Sequence, residues 1–137
     1  MSHAGDVTPQ EAYAAVTADP AALLVDVRTR AEWAYVGVPD LGAAGREVHL
    51  VEWTTFPDGA SNAHFVDEVR AAGAQPGSPI YLLCRSGVRS QAAAEALTAA
   101  GLGPAYNVLE GFEGRHDESH HRAVSGWKND GLPWVQG

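Results

Sequence analysis

One cysteine, Cys84, stands among residues that favour a reactive thiol. It follows the apolar run Ile80–Leu83, which reads as a buried strand, and opens the segment Cys84-Arg85-Ser86-Gly87-Val88-Arg89-Ser90. The alanine-rich stretch Ser90–Ala100 then reads as a helix, with Ala93, Leu97 and Ala100 on one stripe. A short loop between a strand end and a helix start turns backbone N–H groups inward as an anion-binding nest. The positive end of the helix adds to that field. Gly87 frees the turn, and Arg85 and Arg89 bring two positive charges. Such surroundings stabilise a thiolate, which is the nucleophilic form, and the same cradle holds an anionic substrate or adduct. The bland alternative is a small hydrophobe ending a buried strand. The order strand, Cys, two Arg, Gly, helix argues for reactivity.

Composition bounds what else the chain can do. A single cysteine excludes an intramolecular disulfide and any Cys-cluster metal site. At roughly 100–200 residues per domain, 137 residues make one domain. Its core is expected over about residues 7–114, with 115–137 as a loop-rich tail packed on the domain. Hydrophobic residues at 45% and charged residues at 19% place it among globular proteins. Nine Lys plus Arg against seventeen Asp plus Glu leave a net charge of −8, poor for nucleic acid or an anionic membrane. Met1 to Pro9 lacks the basic start and apolar run of a signal peptide, and no stretch approaches the ~20 apolar residues of a span. The expected address is the cytoplasm.

The elements that must position Cys84 alternate between strand and helix. Thr8 caps a short helix over Gln10–Thr17, with Pro9 at its first position. Leu23–Val27 reads as a buried strand broken only by Asp26, and Thr29–Trp33 opens a short helix. Gly37 to Gly45 reads as loop, and Glu47–Val51 as a strand. Ser61 caps a helix through Ala72 that stops at Gly73. Gly101 and Leu102 end the alanine-rich helix in a Schellman stop, and Ala105–Leu109 is the last strand. The tail holds a helical turn near Val124–Asn129. Strands separated by helices predict an α/β domain: a mostly parallel central sheet with helices on both faces. Ligands in such folds bind outside the carboxyl ends of the strands, which directs attention to Arg28, Glu52-Trp53, Cys84 onward and Glu110-Gly111.

The Cys84–Ser90 segment resembles the active-site loop of single-domain rhodaneses, the thiosulfate sulfurtransferases. Leu24-Val25-Asp26-Val27-Arg28-Thr29-Arg30-Ala31-Glu32-Trp33 resembles the family's other signature, a strand ending in Asp-Val-Arg, then Glu and an aromatic. Asn107-Val108-Leu109-Glu110-Gly111-Phe112 is similar to its last strand and turn. The sequence departs from the family at Gly37-Val38-Pro39-Asp40-Leu41, which lacks the His of Gly-His-Ile-Pro-Gly-Ala, and at Gly111, where two adjacent glycines are frequent. Four residues separate Cys84 from Arg89, a shorter loop than in the related phosphatases and arsenate reductases, which implies sulfur chemistry.

The resemblance implies a ping-pong reaction. Cys84 takes sulfane sulfur from an anionic donor such as thiosulfate as a persulfide, then passes it to cyanide, a small thiol or a protein cysteine. It needs no cofactor and no metal. The alternative is a persulfide carrier or sensor that serves a protein partner and turns over small donors poorly. The resemblance gives Asp26 the task of anchoring the active loop, through an Arg or loop N–H groups; the alternative is a strand-end Asp reaching solvent. The substrate-binding candidates are Arg85, pointing outward toward the donor, Arg89, which also suits bracing the loop against Asp26 or backbone carbonyls, and Arg28. Arg28 at a strand end equally suits a surface ion pair with Glu32. Trp53 suits a pocket wall or core packing. His116, His120 and His121, beside Asp117 and Glu118, lack the i, i+4 spacing of helical metal sites, and a solvated loop is the expectation for them.

Overall fold

The computed structural model describes residues 3–54, 60–85, 87–109, 111–114, 126–128 and 130–136. In chain order the elements are β1 (Gly5–Val7), α1 (Pro9–Ala18), β2 (Leu23–Asp26), α2 (Arg30–Tyr35), β3 (Val38–Pro39), β4 (His49–Leu50), α3 (Phe65–Ala71), β5 (Pro76–Leu83), α4 (Val88–Ala99), β6 (Gly103–Val108) and β7 (Trp134–Val135). Five strands form one parallel sheet in the order β1-β6-β5-β2-β4, while β3 and β7 pair antiparallel in a separate ribbon. This is the predicted mostly parallel α/β domain.

Side-chain alternation along the strands divides the core in two. Leu23, Val25, Ile80, Leu82 and Ala105 face Phe65 and Val69 of α3 and Ala93, Ala94 and Leu97 of α4. Leu24, Leu83 and Val108 face Ala12 and Val16 of α1, together with Leu41, Phe112 and Trp127. All four residues of β2 are buried, as a strand covered on both faces requires.

Local chemistry sets the helix ends. Thr8 Oγ1 accepts the Glu11 N–H while the Glu11 carboxylate accepts the Thr8 N–H, a complete capping box with Pro9 behind it. Thr29 and Glu32 make a second box at the start of α2. Helix α4 ends in the predicted Schellman motif: Leu102 N–H donates to Leu97 O, and Gly101, at φ 81°, donates to Thr98 O.

Four expectations are corrected. Ser61 does not cap α3; it bridges to Thr54, and α3 starts after His64 without a side-chain cap. Helix α4 starts at Val88, two residues before the predicted Ser90, because Gly87 at φ 112° serves as N-cap. The strand expected over Glu47–Val51 is regular only at His49–Leu50, though Val51 N–H still bonds Asp26 O. The Gly37–Gly45 loop holds β3 and a 3-10 turn over Gly42–Ala44, and β3 finds its partner in the tail, Val38 opposite Val135 and Pro39 opposite Trp134.

Trp127 binds the tail to the domain. It is fully buried, meets Tyr13 edge to face with ring centroids 5.5 Å apart, and donates its indole N–H to Pro133 O at 2.7 Å. Its backbone N–H donates to Gly111 O. Trp127→Ala should cost about 3–5 kcal/mol through the cavity it leaves. Urea unfolding followed by the remaining tryptophans measures this.

Candidate active site

Cys84 continues the α4-facing side of β5, in step with Ile80 and Leu82, and is 1% exposed. Its Sγ accepts the Gly87 N–H at 3.1 Å and lies 3.2 Å from Ser90 Oγ. Gly87 brings no side chain to cap α4, so the first N–H groups of that helix face the sulfur end of the loop without a side-chain acceptor. The loop carbonyls are turned the other way. Cys84 O accepts Phe112 N–H at 2.8 Å, and Arg85 O accepts the N–H groups of Glu113 and Gly114. The turn after β6 thereby backs the loop. It can do so only with glycine at 111, where φ is 53° and a Cβ would fall on the Cys84 carbonyl oxygen.

Ser90, in the first turn of α4, is fully buried. Besides Sγ, its Oγ lies 2.5 Å from Oδ1 of Asn107 on β6. Asn107 Nδ2 lies 3.4 Å from Oδ1 of Asp6 on β1, and that oxygen lies 2.8 Å from His3 Nε2.

Arg89 is held by Glu32. Its two terminal nitrogens bond the two Glu32 oxygens at 2.7 and 2.8 Å. Burial pushes the Glu32 carboxyl up, but the Arg89 hydrogen bonds and charge, the Thr29 N–H and the Arg28 charge outweigh it and leave the group below its ordinary value. The same hydrogen bonds raise Arg89 above its ordinary value against the opposing effect of burial. Glu32 is thus both the capping-box residue of α2 and the clamp on the start of α4. Arg85 is the outward arginine, its side chain 47% exposed and its Nε 3.5 Å from Glu113 Oε2. It borders a shallow groove of about 300 Å³ lined by Ala31, Glu32, Val36 and Glu113.

Arg28 is placed where no donor anion reaches it. It is 0% exposed, its Nε and Nη2 fork onto Asp26 at 2.9 and 2.6 Å, Nη2 also donates to Gly37 O, and the guanidinium stacks 4.2 Å from the Phe112 ring centre. The expected surface pair with Glu32 does not form. Among the described residues the Asp26 carboxylate bonds Arg28, with no hydrogen bond to the loop or to Arg89. Position 26 shares its strand face with Leu24, on the α1 side of the sheet, whereas Cys84 and α4 lie on the other side. A chain of contacts runs from Asp26 through Arg28 and Phe112 to Cys84 O. Trp53 is partly buried and packs edge to face on Phe65, with centroids 5.1 Å apart, against the α3-side core. Ser86, Glu110, His116, Asp117, Glu118, His120 and His121 lie outside the described residues, as does half of the expected turn at Val124–Asn129.

Sequence reasoning missed Glu32 as the partner of Arg89, Asn107 as the partner of Ser90, and the steric demand at Gly111. The spacing Thr29-x-x-Glu32 was the available signal for the first. A polar Asn inside an apolar strand was the signal for the second.

The sequence pattern of the STR4 middle-domain family matches residues 4–137, and the chain belongs to that family. The chloroplastic THYLAKOID RHODANESE-LIKE protein of Oryza sativa subsp. indica is 30% identical over 132 residues, which cover 96% of this chain and 25% of that protein. The chain is a rhodanese-like domain. The crystal structure of Rv0390 from M. tuberculosis superimposes on this rhodanese-like domain with a TM-score of 0.90 at 53% identity, covering 99% of this chain and 100% of that one. The uncharacterized protein RC0915 of Rickettsia conorii is 35% identical over 131 residues, which cover 94% of this chain and 95% of that protein. Sulfur transfer is the general chemistry of the rhodanese-like fold. Among the described residues no helix is long and apolar enough to cross a membrane.

Two outcomes follow for the rhodanese-like site. Arg28→Ala leaves Asp26 buried without its counter-charge and should destabilise by about 3–5 kcal/mol, read from urea unfolding. Glu32, lowered in the folded protein, contributes stability above the unfolded carboxylate range near pH ~4.3, and this is lost as pH falls through its folded value. The stability gap between wild type and Glu32→Gln should therefore be widest at neutral pH and close on acidification, as followed by thermal melts against pH.

Proposed function

We propose that this protein is a sulfurtransferase that carries sulfane sulfur on Cys84. The observation that carries the reading is the sulfur buried at the N-terminal end of α4, with the Gly87 N–H and the Ser90 hydroxyl at hydrogen-bond distance. The Cys84 thiolate attacks the outer sulfur of an anionic donor such as thiosulfate. The S–S bond of the donor breaks, its electron pair leaves with sulfite, and a Cys84 persulfide anion remains. The loop N–H groups and the helix end stabilise that anion. Cyanide or a thiolate then attacks the outer persulfide sulfur and the Cys84 thiolate is restored. The chain holds no second cysteine to resolve the persulfide internally, so the acceptor is external. Arg85, exposed at the loop, is the side chain a donor meets first. The role of Arg89 is to fix the loop through Glu32, and Asp26 and Arg28 support it from behind. The setting of the reaction is the cytoplasm, without cofactor or metal.

Incubation with thiosulfate and cyanide should release thiocyanate from wild type and none above background from Cys84→Ser. The intact mass should rise by one sulfur atom with thiosulfate alone, only where Cys84 is present. Equal thiocyanate rates for the two proteins would overturn the assignment. A stable sulfur adduct with little thiocyanate would instead identify a persulfide carrier acting on a protein partner.

A further inference from the structure

The Ser90 hydroxyl has one hydrogen and two claimants, Cys84 Sγ at 3.2 Å and Asn107 Oδ1 at 2.5 Å. The Asn107 carboxamide decides between them. Parallel pairing of β1 with β6 places Asp6 beside Asn107 in the register, with Asp6 Oδ1 3.4 Å from Asn107 Nδ2. A carboxylate only accepts, so it draws the amide nitrogen toward itself and sends Oδ1 toward Ser90. The Ser90 hydrogen is then committed to Asn107. What Ser90 offers Cys84 is a lone pair, which a thiol S–H satisfies and a thiolate does not.

We infer that Asp6 is a positioning residue: through Asn107 and Ser90 it sets the direction of the hydrogen bonds that end on Cys84, so that Ser90 turns a lone pair rather than its hydrogen to the sulfur. The inference rests on Cys84 being the reactive sulfur proposed above. When Cys84 yields its proton to a base in solvent, the Ser90 hydrogen must turn to Sγ. Asn107 must then present Nδ2 to Ser90 and Oδ1 to the Asp6 carboxylate, a repulsive contact. Asp6 touches no reacting atom and lies at the sheet edge, with its side chain 46% exposed. Among the described residues, the titratable groups facing this chain of contacts are His3, on Asp6, and Arg89, whose charge acts on Cys84.

The test is the rate of iodoacetamide alkylation of Cys84 in the full chain, followed by intact mass, for wild type, Asp6→Asn, Ser90→Ala and the double variant. Asp6→Asn keeps the shape and lets the amide take either orientation. It should alkylate about threefold to tenfold faster at neutral pH, the scale of one hydrogen bond, with its rate profile displaced to lower pH. In the Ser90→Ala background the same change should have no effect. An unchanged rate in Asp6→Asn overturns the inference. So does an equal acceleration with and without Ser90, which would mean a bare field effect or a loosened β1. Alkylation needs no sulfur donor, so the two readings fail separately. Cys84-independent thiocyanate release sinks the sulfurtransferase, and Asp6-independent alkylation sinks this inference.

Discussion

A carboxylate at the end of a central parallel strand, covered on both faces, has no water to turn to. Asp26 is in that position, and Arg28, two residues on, supplies the whole of its counter-charge through a two-nitrogen fork and a backbone N–H. A buried pair of this kind contributes little net stability over an apolar pair of similar volume, but removing one partner is costly. Its worth here is geometric. Once Arg28 is fixed, its second contact holds Gly37 and its flat face holds Phe112. Phe112 in turn carries the backbone N–H that fixes Cys84 O, and its ring meets Trp134 of the tail edge to face at 6.2 Å. Trp134 lies against Gly37 so closely that a Cβ there would collide with its ring. The ion pair, the end of β6, the β3–β7 ribbon and the back of the cysteine loop are one connected body.

The two faces of the sheet divide the work. The α1 side, with Asp26, Arg28, Phe112 and Trp127, is a support structure. Among the described residues it reaches the cysteine loop through backbone: Val27 N–H to Leu83 O, Phe112 N–H to Cys84 O, and the Glu113 and Gly114 N–H groups to Arg85 O. The α4 side holds the sulfur and its polar contacts, Gly87 N–H, Ser90 and, behind it, Asn107. The Glu32–Arg89 fork closes the arrangement by tying the first turn of α4 to the first turn of α2. The same carboxylate accepts the Thr29 N–H. A shorter side chain at 32 could not cap one helix and clamp the other, so the box at Thr29 is a positional constraint on the site as well as a helix signal.

Much of this was legible in the sequence because hydrophobic runs and caps report local burial and local hydrogen bonding. The strand before Cys84, the Thr8 cap and the Gly101 stop follow from residues within a few positions of each other. Partner choice across long separations did not follow. Arg89 was offered Asp26 as a partner, yet the sheet separates them, and only the alternation of side chains along a correctly registered β2 reveals that. Position 61 looked like a cap by residue type, but a serine is equally content in an extended bridge, and the pairing with Thr54 prevailed. Strands β1, β3, β4 and β7 are two or three residues long, too short for any period to register. Gly111 is distinguished by how closely another loop approaches it, which no neighbouring residue announces.

The charges at the site carry one more consequence. Arg85 and Arg89 lie in the loop and Arg28 follows β2, and the loop pair reads in sequence as a small positive pocket in an acidic protein. In three dimensions each faces a carboxylate: Arg28 meets Asp26, Arg89 meets Glu32 and Arg85 meets Glu113. Each guanidinium is thus paired with a carboxylate, which offsets its charge. Under the proposed sulfur-transfer reading, the attraction for an anionic donor at Cys84 falls to the N–H groups at the start of α4 and the loop N–H of Gly87, a field that is short in range and fixed in direction. Such a field selects an anion small enough to bring its charge to the sulfur itself. It gives little hold on an extended polyanion, whose charges would lie across an acidic surface, and a contact so short is screened less by salt than long-range steering by exposed arginines.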